Sequence, residues 1–187
     1  MAKQKLKAVE PVRLYRLDFG CGKHKREGFE GVDVRPFEGV DHVVDLGAQL
    51  WPWKEATVEE ANASHFVEHL DSKQRVHFVN ELCRVLIPGG KCTITTPHWA
   101  SGRAYGDLTH QWPPVSEMWL WYLNAEWRAA NAPHNDMYTC DFDFSWGYSM
   151  RGDLAIRNTE YQQFALANYK EAAQDMVATL VKKVTQT

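Results

Sequence analysis

Leu17-Asp18-Phe19-Gly20-Cys21-Gly22-Lys23-His24 closes an apolar run (Val12, Leu14, Tyr15, Leu17, Phe19) with two glycines one residue apart. A strand that runs straight into Gly-x-Gly is how an α/β protein turns sharply and lets a ligand approach bare backbone, because glycine has no Cβ. Asp18, just before the turn, can accept hydrogen bonds from the loop or meet a cation. Glycine pairs also mark ordinary turns, so the reading depends on what flanks this one.

Downstream, Lys23-His24-Lys25-Arg26-Glu27 is polar, and a second strand is predicted over Phe29 to Val34, with Asp33 near its end. A parallel crossover usually takes a dozen or more residues. The ten positions from Gly22 to Val32 therefore predict a very short helix, or a loop in its place. A third strand is expected over Val40 to Leu46, with Asp45 near its end, followed by a turn at Leu50-Trp51-Pro52-Trp53. A fourth is expected over Glu60 to Phe66. Asp71 or Ser72 then caps a helix over Lys73 to Leu86, in which Val76, Val79, Leu82, Val85 and Leu86 recur at helical spacing. Pro88-Gly89-Gly90 ends it, since proline lacks a donor and glycine takes the left-handed turn, and a fifth strand runs from Lys91 to Thr96.

The segment 98–135 is turn-rich, with a helix expected over Ser116 to Ala130. Period-two alternation from Tyr138 to Tyr148 predicts a strand. Asn158 opens a helix to about Ala173, and Met176 to Val184 is a closing strand. The last two strands are expected to pair, one of them antiparallel to the rest. Alternating strands and helices argue for a mostly parallel sheet with helices on its faces.

At 187 residues the chain is read as a single domain, with a basic flexible tail over 1–11. Its formal charge of −3 and lack of a basic stripe give no nucleic-acid footprint. With no apolar run near the ~20 residues that span a bilayer and no signal segment, the chain is expected to be cytoplasmic. Cys21, Cys83, Cys92 and Cys140 have no C-x-x-C spacing, which argues against a disulfide framework or structural zinc. Five of the eight tryptophans lie between Trp99 and Trp127. Trp99, Trp112, Trp119 and Trp121 either wall an acceptor site or fill a core.

The ordered pieces resemble the class I S-adenosylmethionine-dependent methyltransferases, in particular small bacterial and phage members with a shortened first helix. The resemblance rests on Leu17-Asp18-Phe19-Gly20-Cys21-Gly22, Gly31-Val32-Asp33-Val34, Ser64-His65-Phe66-Val67-Glu68-His69-Leu70 and Leu82-Cys83-Arg84-Val85-Leu86-Ile87-Pro88-Gly89-Gly90. It covers Leu14 to Pro97 firmly and the C-terminal strand pair loosely. It implies a Rossmann-like α/β fold: a seven-stranded, mostly parallel sheet with one antiparallel C-terminal strand and helices on both faces. The implied cofactor is S-adenosylmethionine, released as S-adenosylhomocysteine. Asp18, Phe19, Gly20 and Gly22 would meet its methionine portion, and Asp33 with Val34 the ribose. Asp45 and the Leu46 amide would meet the adenine, and Ser64 and His65 would lie near the sulfonium. The implied reaction is methyl transfer, with 98–135 as the variable substrate-side segment. The acceptor left open is oxygen or nitrogen of a small molecule, a modified nucleotide or a protein side chain, and the small room for a recognition domain favours a small one. Asp107-Leu108-Thr109-His110 is similar to the Asp-Pro-Thr-His of some relatives, with Leu108 in place of proline.

Other readings compete. A nicotinamide dinucleotide fingerprint wants a third glycine where Lys25 stands and an acidic residue ~20 positions on. His65-Phe66-Val67-Glu68-His69 is a literal H-x-x-E-H, the spacing of a zinc hydrolase. Zinc would need both histidines on one helical face, whereas this stretch straddles a strand end, so no metal is expected. Lys23 to Arg26 either steers an anion or is a solvated loop. Besides His65, the candidate bases are His98, Asp107 with His110, and His134, each set against the reading of a satisfied loop residue. No Asp/Asn-Pro-Pro-Tyr/Phe follows the fourth strand and no Pro-Cys is present, so nucleobase amino and cytosine carbon-5 chemistry lack their signatures. A non-catalytic scaffold that keeps the cofactor pocket and pairs with a partner subunit is the remaining alternative.

Overall fold

The computed structural model describes residues 13–184; the expected tail over 1–11 lies outside them. Seven strands form one sheet in the order β3-β2-β1-β4-β5-β7-β6. They are β1 (Tyr15–Phe19), β2 (Glu30–Asp33), β3 (His42–Val43), β4 (Val58–Ser64), β5 (Leu86–Pro97), β6 (Phe142–Met150) and β7 (Ala173–Lys182). The β1–β2, β2–β3, β1–β4 and β4–β5 pairs are parallel, and β7 runs antiparallel to both β5 and β6. The expected sheet is therefore present, and its C-terminal strands pair with each other. The strand order reverses at β1, so loops after β1, β2 and β4 gather at one edge, which is where open α/β sheets bind ligands.

The residues from Gly20 to Phe29 carry no helix. Carboxylates order them instead. Asp18 accepts from the Arg26 amide (2.8 Å) and from Asn62 Nδ2 (2.7 Å), while Asp41 accepts from the Gly31 amide (2.7 Å) and Lys25 Nζ (2.8 Å).

Helix α1 (Ser72–Val85) starts on a capping box, in which Asp71 accepts from the Gln74 amide and Gln74 accepts from the Asp71 amide, both at 2.9 Å. It buries Phe78, Val79, Leu82 and Val85 against the sheet, where Phe78 and Trp51 meet Phe19 from β1. Trp51 also fastens the loop after β3. Its amide donates to Glu81 Oε2 on α1 (2.8 Å) and its Nε1 donates to the Leu46 carbonyl (3.2 Å).

Several boundaries differ from expectation for identifiable reasons. β3 is two residues long because Asp45 already accepts turn bonds from the Ala48 and Gln49 amides. β4 stops at Ser64 because His65 takes a left-handed conformation (φ +51°). Pro88-Gly89-Gly90 ends the helix but lies within β5, absorbed by a register shift between Val58 and Glu60. The helix expected over Ser116 to Ala130 is two helices, α3 (Glu117–Trp121) and α4 (Ala125–Asn131), divided where Asn124 caps the second. A single turn, α2 (Arg103–Gly106), precedes them. The strand expected from Tyr138 begins only at Phe142: the Thr139 and Cys140 amides donate to Asn80 Oδ1, and Arg128 donates to the Cys140 carbonyl. After β6 come α5 (Gly152–Ala155) and α6 (Thr159–Asn168), the latter capped by Asn158 as expected but ending before the left-handed Glu171.

Candidate functional site

A cleft of about 660 Å3 opens over the carboxyl edge of the sheet and is shared by Gly20, Asp33, Asp45 and His65. Gly20 has φ +66°, and a Cβ there would collide with the Phe66 ring, so neither the conformation nor the space admits a side chain. Asp33 accepts from the Gly22 amide on one oxygen and from the Arg35 amide on the other, both at 2.9 Å. Each oxygen keeps a second lone pair. Asp45 accepts from the Gly47 amide at 3.0 Å, and Val34, Phe37, Val44 and Leu46 give the same cleft apolar walls.

A second cavity of about 630 Å3 shares Gly20 and His65 with the first and adds Asp18, Cys21, His24, Arg26, Asn62 and Ser64. Of the basic run, His24 and Arg26 line this cavity, Lys25 pairs with Asp41, and Lys23 lies over the Phe37 ring. Burial, reinforced by the charges of Asp18 and Asp33, pushes the Cys21 thiol up to about 11, so it stays protonated at neutral pH.

Where the two cavities meet, His65 Nδ1 donates to Glu68 Oε1 (3.3 Å), which leaves Nε2 as the acceptor nitrogen. Glu68 is buried at 4% exposure in a short 3-10 turn over Val67–His69. His65 precedes that turn, so the H-x-x-E-H residues do not stack on a helical face. Instead the chain returns from β5 to set His110 beside His69, ring centroids 4.8 Å apart. Thr109 donates to Asp107 Oδ1 (2.7 Å) and lies 3.0 Å from His69 Nδ1. His110 Nδ1 donates to the Ala104 carbonyl (3.2 Å), while its Nε2 is 3.9 Å from Asp107. The expected Asp107–His110 pair is thus adjacent, but a carbonyl orients the ring.

Arg75 of α1 holds this corner together. Its buried guanidinium donates to the carbonyls of Val67, Glu68, Gln111 and Pro113. Nothing in the helical pattern of α1 signals it, because its partners come from segments about 35 residues downstream as well as nearby.

His98 is corrected as a base. It is 5% exposed, its Nε2 donates to Glu117 Oε1 (2.9 Å) and its Nδ1 accepts from the Ala100 amide (3.3 Å), so neither nitrogen is free. Phe19 lies wholly in the core and lines neither cavity, and Gly22 lines neither but donates its amide to Asp33. His134 is exposed and lines neither cavity. The tryptophans divide. Trp99 and Trp112 line a pocket of about 340 Å3 with Tyr105 and Glu117, Trp119 packs on the core, and Trp121 lies with Trp127 and Trp146 around a separate hollow.

Burial alone would push the Glu117 carboxyl up, but hydrogen bonds from His98 and Tyr148 outweigh it and hold the group at about 2. The folded-state value lies below the ordinary 4.5, so the stabilisation is present above about pH 4.5 and is lost as pH falls toward 2. Denaturant unfolding at pH 5 is expected to show Glu117→Gln less stable than wild type. That gap should narrow steadily between about pH 4.5 and about pH 2, and one that stayed constant with pH would contradict the assignment.

These features define a class: the chain has the fold of the class I S-adenosylmethionine-dependent methyltransferases. No protein-family model matches it, and no curated protein matches it. Among solved structures it is similar to an S-adenosylmethionine-dependent methyltransferase from Archaeoglobus fulgidus, at 21% identity and TM-score 0.65 over 91% of this chain and 86% of that one. It is similar to another from Methanosarcina mazei, at 14% identity and TM-score 0.55 over 93% and 94%. It is also similar to the [4+2]-cyclase SpnF, at 18% identity and TM-score 0.55 over 92% and 76%. Likeness at these identities is a likeness of fold, and function must be argued from the site. Among the described residues, no helix is long and apolar enough to cross a membrane.

Proposed function

We propose that the protein is an S-adenosylmethionine-dependent methyltransferase acting on oxygen or nitrogen of a small acceptor. The observation that carries this reading is the convergence of Gly20, Asp33, Asp45 and His65 on one cleft from the carboxyl ends of four strands. The residues fit the cofactor. The spare lone pairs of Asp33 suit two vicinal ribose hydroxyls, and Asp45 with the apolar walls at Val34, Val44 and Leu46 suits adenine. The bare backbone at Gly20 leads into the second cavity, where Arg26 and His24 suit a carboxylate and Asp18 and Ser64 lie nearby.

When bound, the sulfonium supplies a methyl group on a good leaving group. The chain's task is to hold donor and acceptor in line and to exclude water. His65, at the junction of the cavities, takes the acceptor's proton on Nε2 while Glu68 holds the opposite nitrogen and favours the imidazolium. The segment 98–135 forms the acceptor side. Calorimetry with S-adenosylmethionine and S-adenosylhomocysteine is expected to show one site per chain, and absence of binding at millimolar ligand would refute the reading. Binding without turnover across hydroxyl and amine acceptors would favour a scaffold.

A further inference from the structure

Glu68 has an unusual position for a buried carboxyl group. Oε1 meets His65, but Oε2 is buried and has no hydrogen-bond partner among the described residues. Leaving such an atom unmatched costs free energy, and native structures rarely do so without a reason. One donor atom each from Glu68, His69 and His110 lies within 4.8 Å of the others.

The hydrogen bonds around the two rings fix their tautomers. The Thr109 hydroxyl spends its proton on Asp107, so it can only accept from His69 Nδ1. The Ala104 carbonyl can only accept from His110 Nδ1. Both neutral imidazoles therefore present an Nε2 lone pair, each backed by an oxygen acceptor on the opposite nitrogen. That is the outer-sphere arrangement of metal-bound histidines, including a carboxylate behind His69 through Thr109.

We infer that Glu68, His69 and His110 form a site for one divalent transition-metal ion of the zinc class. Two imidazoles and a carboxylate suit zinc, cobalt, iron or manganese over magnesium or calcium, which prefer all-oxygen sites. Bonds near 2.0–2.2 Å put tetrahedral donors about 3.3–3.6 Å apart. The observed span, within 4.8 Å, must close toward that on binding, and His69 is the exposed ligand of the three. Three protein donors leave at least one position open, beside a cleft whose wall includes His69 and Thr109.

The ion's use rests on the methyltransferase reading; its binding does not. An acceptor hydroxyl held at the open position would pass its proton to His65 and attack the methyl carbon through oxygen. The carbon–sulfur bond would break with its electron pair left on sulfur. An oxygen acceptor, such as a hydroxylated small molecule, is then the class of substrate the site selects.

The test is to strip the full chain with a chelator and titrate it with Zn2+ by calorimetry, with no cofactor present. One equivalent per chain is expected, with affinity lowered at least about tenfold in His110→Ala and in Glu68→Gln. Co2+ should give a visible absorption band that His69→Ala abolishes. Circular dichroism on each variant separates loss of the site from loss of the fold, and exposed His134→Ala should bind as wild type does. A wild-type chain that takes up no Zn2+, or His69→Ala and His110→Ala variants that bind it undiminished, would overturn the site. S-adenosylhomocysteine titrated into the same samples distinguishes the two proposals. Cofactor binding without metal uptake sinks only this site, and metal uptake without cofactor binding sinks only the methyltransferase reading.

Discussion

Asp33→Ala is expected to weaken S-adenosylhomocysteine binding by about 100-fold while leaving the chain folded. Each hydrogen bond to an ionised group contributes ~1.5–3 kcal/mol, and the carboxylate has one lone pair per oxygen free for a ribose hydroxyl. Losing two such bonds removes about 3 kcal/mol or more, which is two powers of ten in affinity. The substitution also frees the Gly22 and Arg35 amides, which now share the carboxylate, so the loops after β1 and β2 lose their common anchor. Both amides can turn to water, and for that reason the cost to unliganded stability should be small. Asp33→Asn keeps the shape and one oxygen and should fall between the two. Calorimetry on the three proteins decides the matter, and an alanine variant that binds like wild type would mean that the ribose lies elsewhere.

The second large effect falls on stability. Arg75→Ala removes the donors for four carbonyls at a corner where Arg75 is 6% exposed. Burial lowers the guanidinium's pKa, yet arginine stays charged in proteins, and those carbonyls compensate for its lost hydration. Buried acceptors left unmatched cost ~1–3 kcal/mol each, but water entering the gap would recover part of this. A net loss of about 3 kcal/mol is expected, which lowers Tm by roughly 6–12 °C in a domain of this size. Arg75→Lys should recover little, because one ammonium cannot reproduce a planar fork of donors. Arg75 joins the turn carrying Glu68 and His69 to the loop carrying Gln111 and Pro113. Its loss should therefore weaken Zn2+ uptake more than S-adenosylhomocysteine binding. A melting curve within 1–2 °C of wild type, a shift below ~1 kcal/mol, would show that the corner is held by something else.

Gly20, Asp33 and Asp45 were legible in the sequence because each stands at or just beyond a strand's carboxyl end. In a parallel sheet, position along the strand becomes position at one edge, so spacing alone brings the three together. The corner around Glu68 was not legible. H-x-x-E-H spacing suggested His65 and His69 as a pair, whereas the partner that meets His69 is His110, delivered by a tertiary return of the chain that no local period encodes. His98 illustrates the converse. Its residue type and segment made it a candidate base, but burial between Glu117 and the Ala100 amide leaves it no free nitrogen. The alternation from Tyr138 to Tyr148 overran the real strand because period two records extended backbone and facing, not whether the amides bond to a neighbouring strand or to Asn80.

The helixless crossover after β1 bears on how the molecule acquires its shape. A helix there could form transiently by itself, since its bonds are local. Here the carboxylate bonds that order the segment and its junction with β2 run from Asp18, Asp33 and Asp41 to backbone 8, 11 and 10 residues away. The segment's local bonds are limited to turns such as His24 to Cys21 and Phe29 to Arg26. The Asp33 bond to Gly22 closes only when β1 and β2 lie side by side, so the segment's order depends largely on non-local pairing. The wall of the second cavity that carries Cys21, His24 and Arg26 therefore takes its shape from the assembled sheet and not from the segment itself.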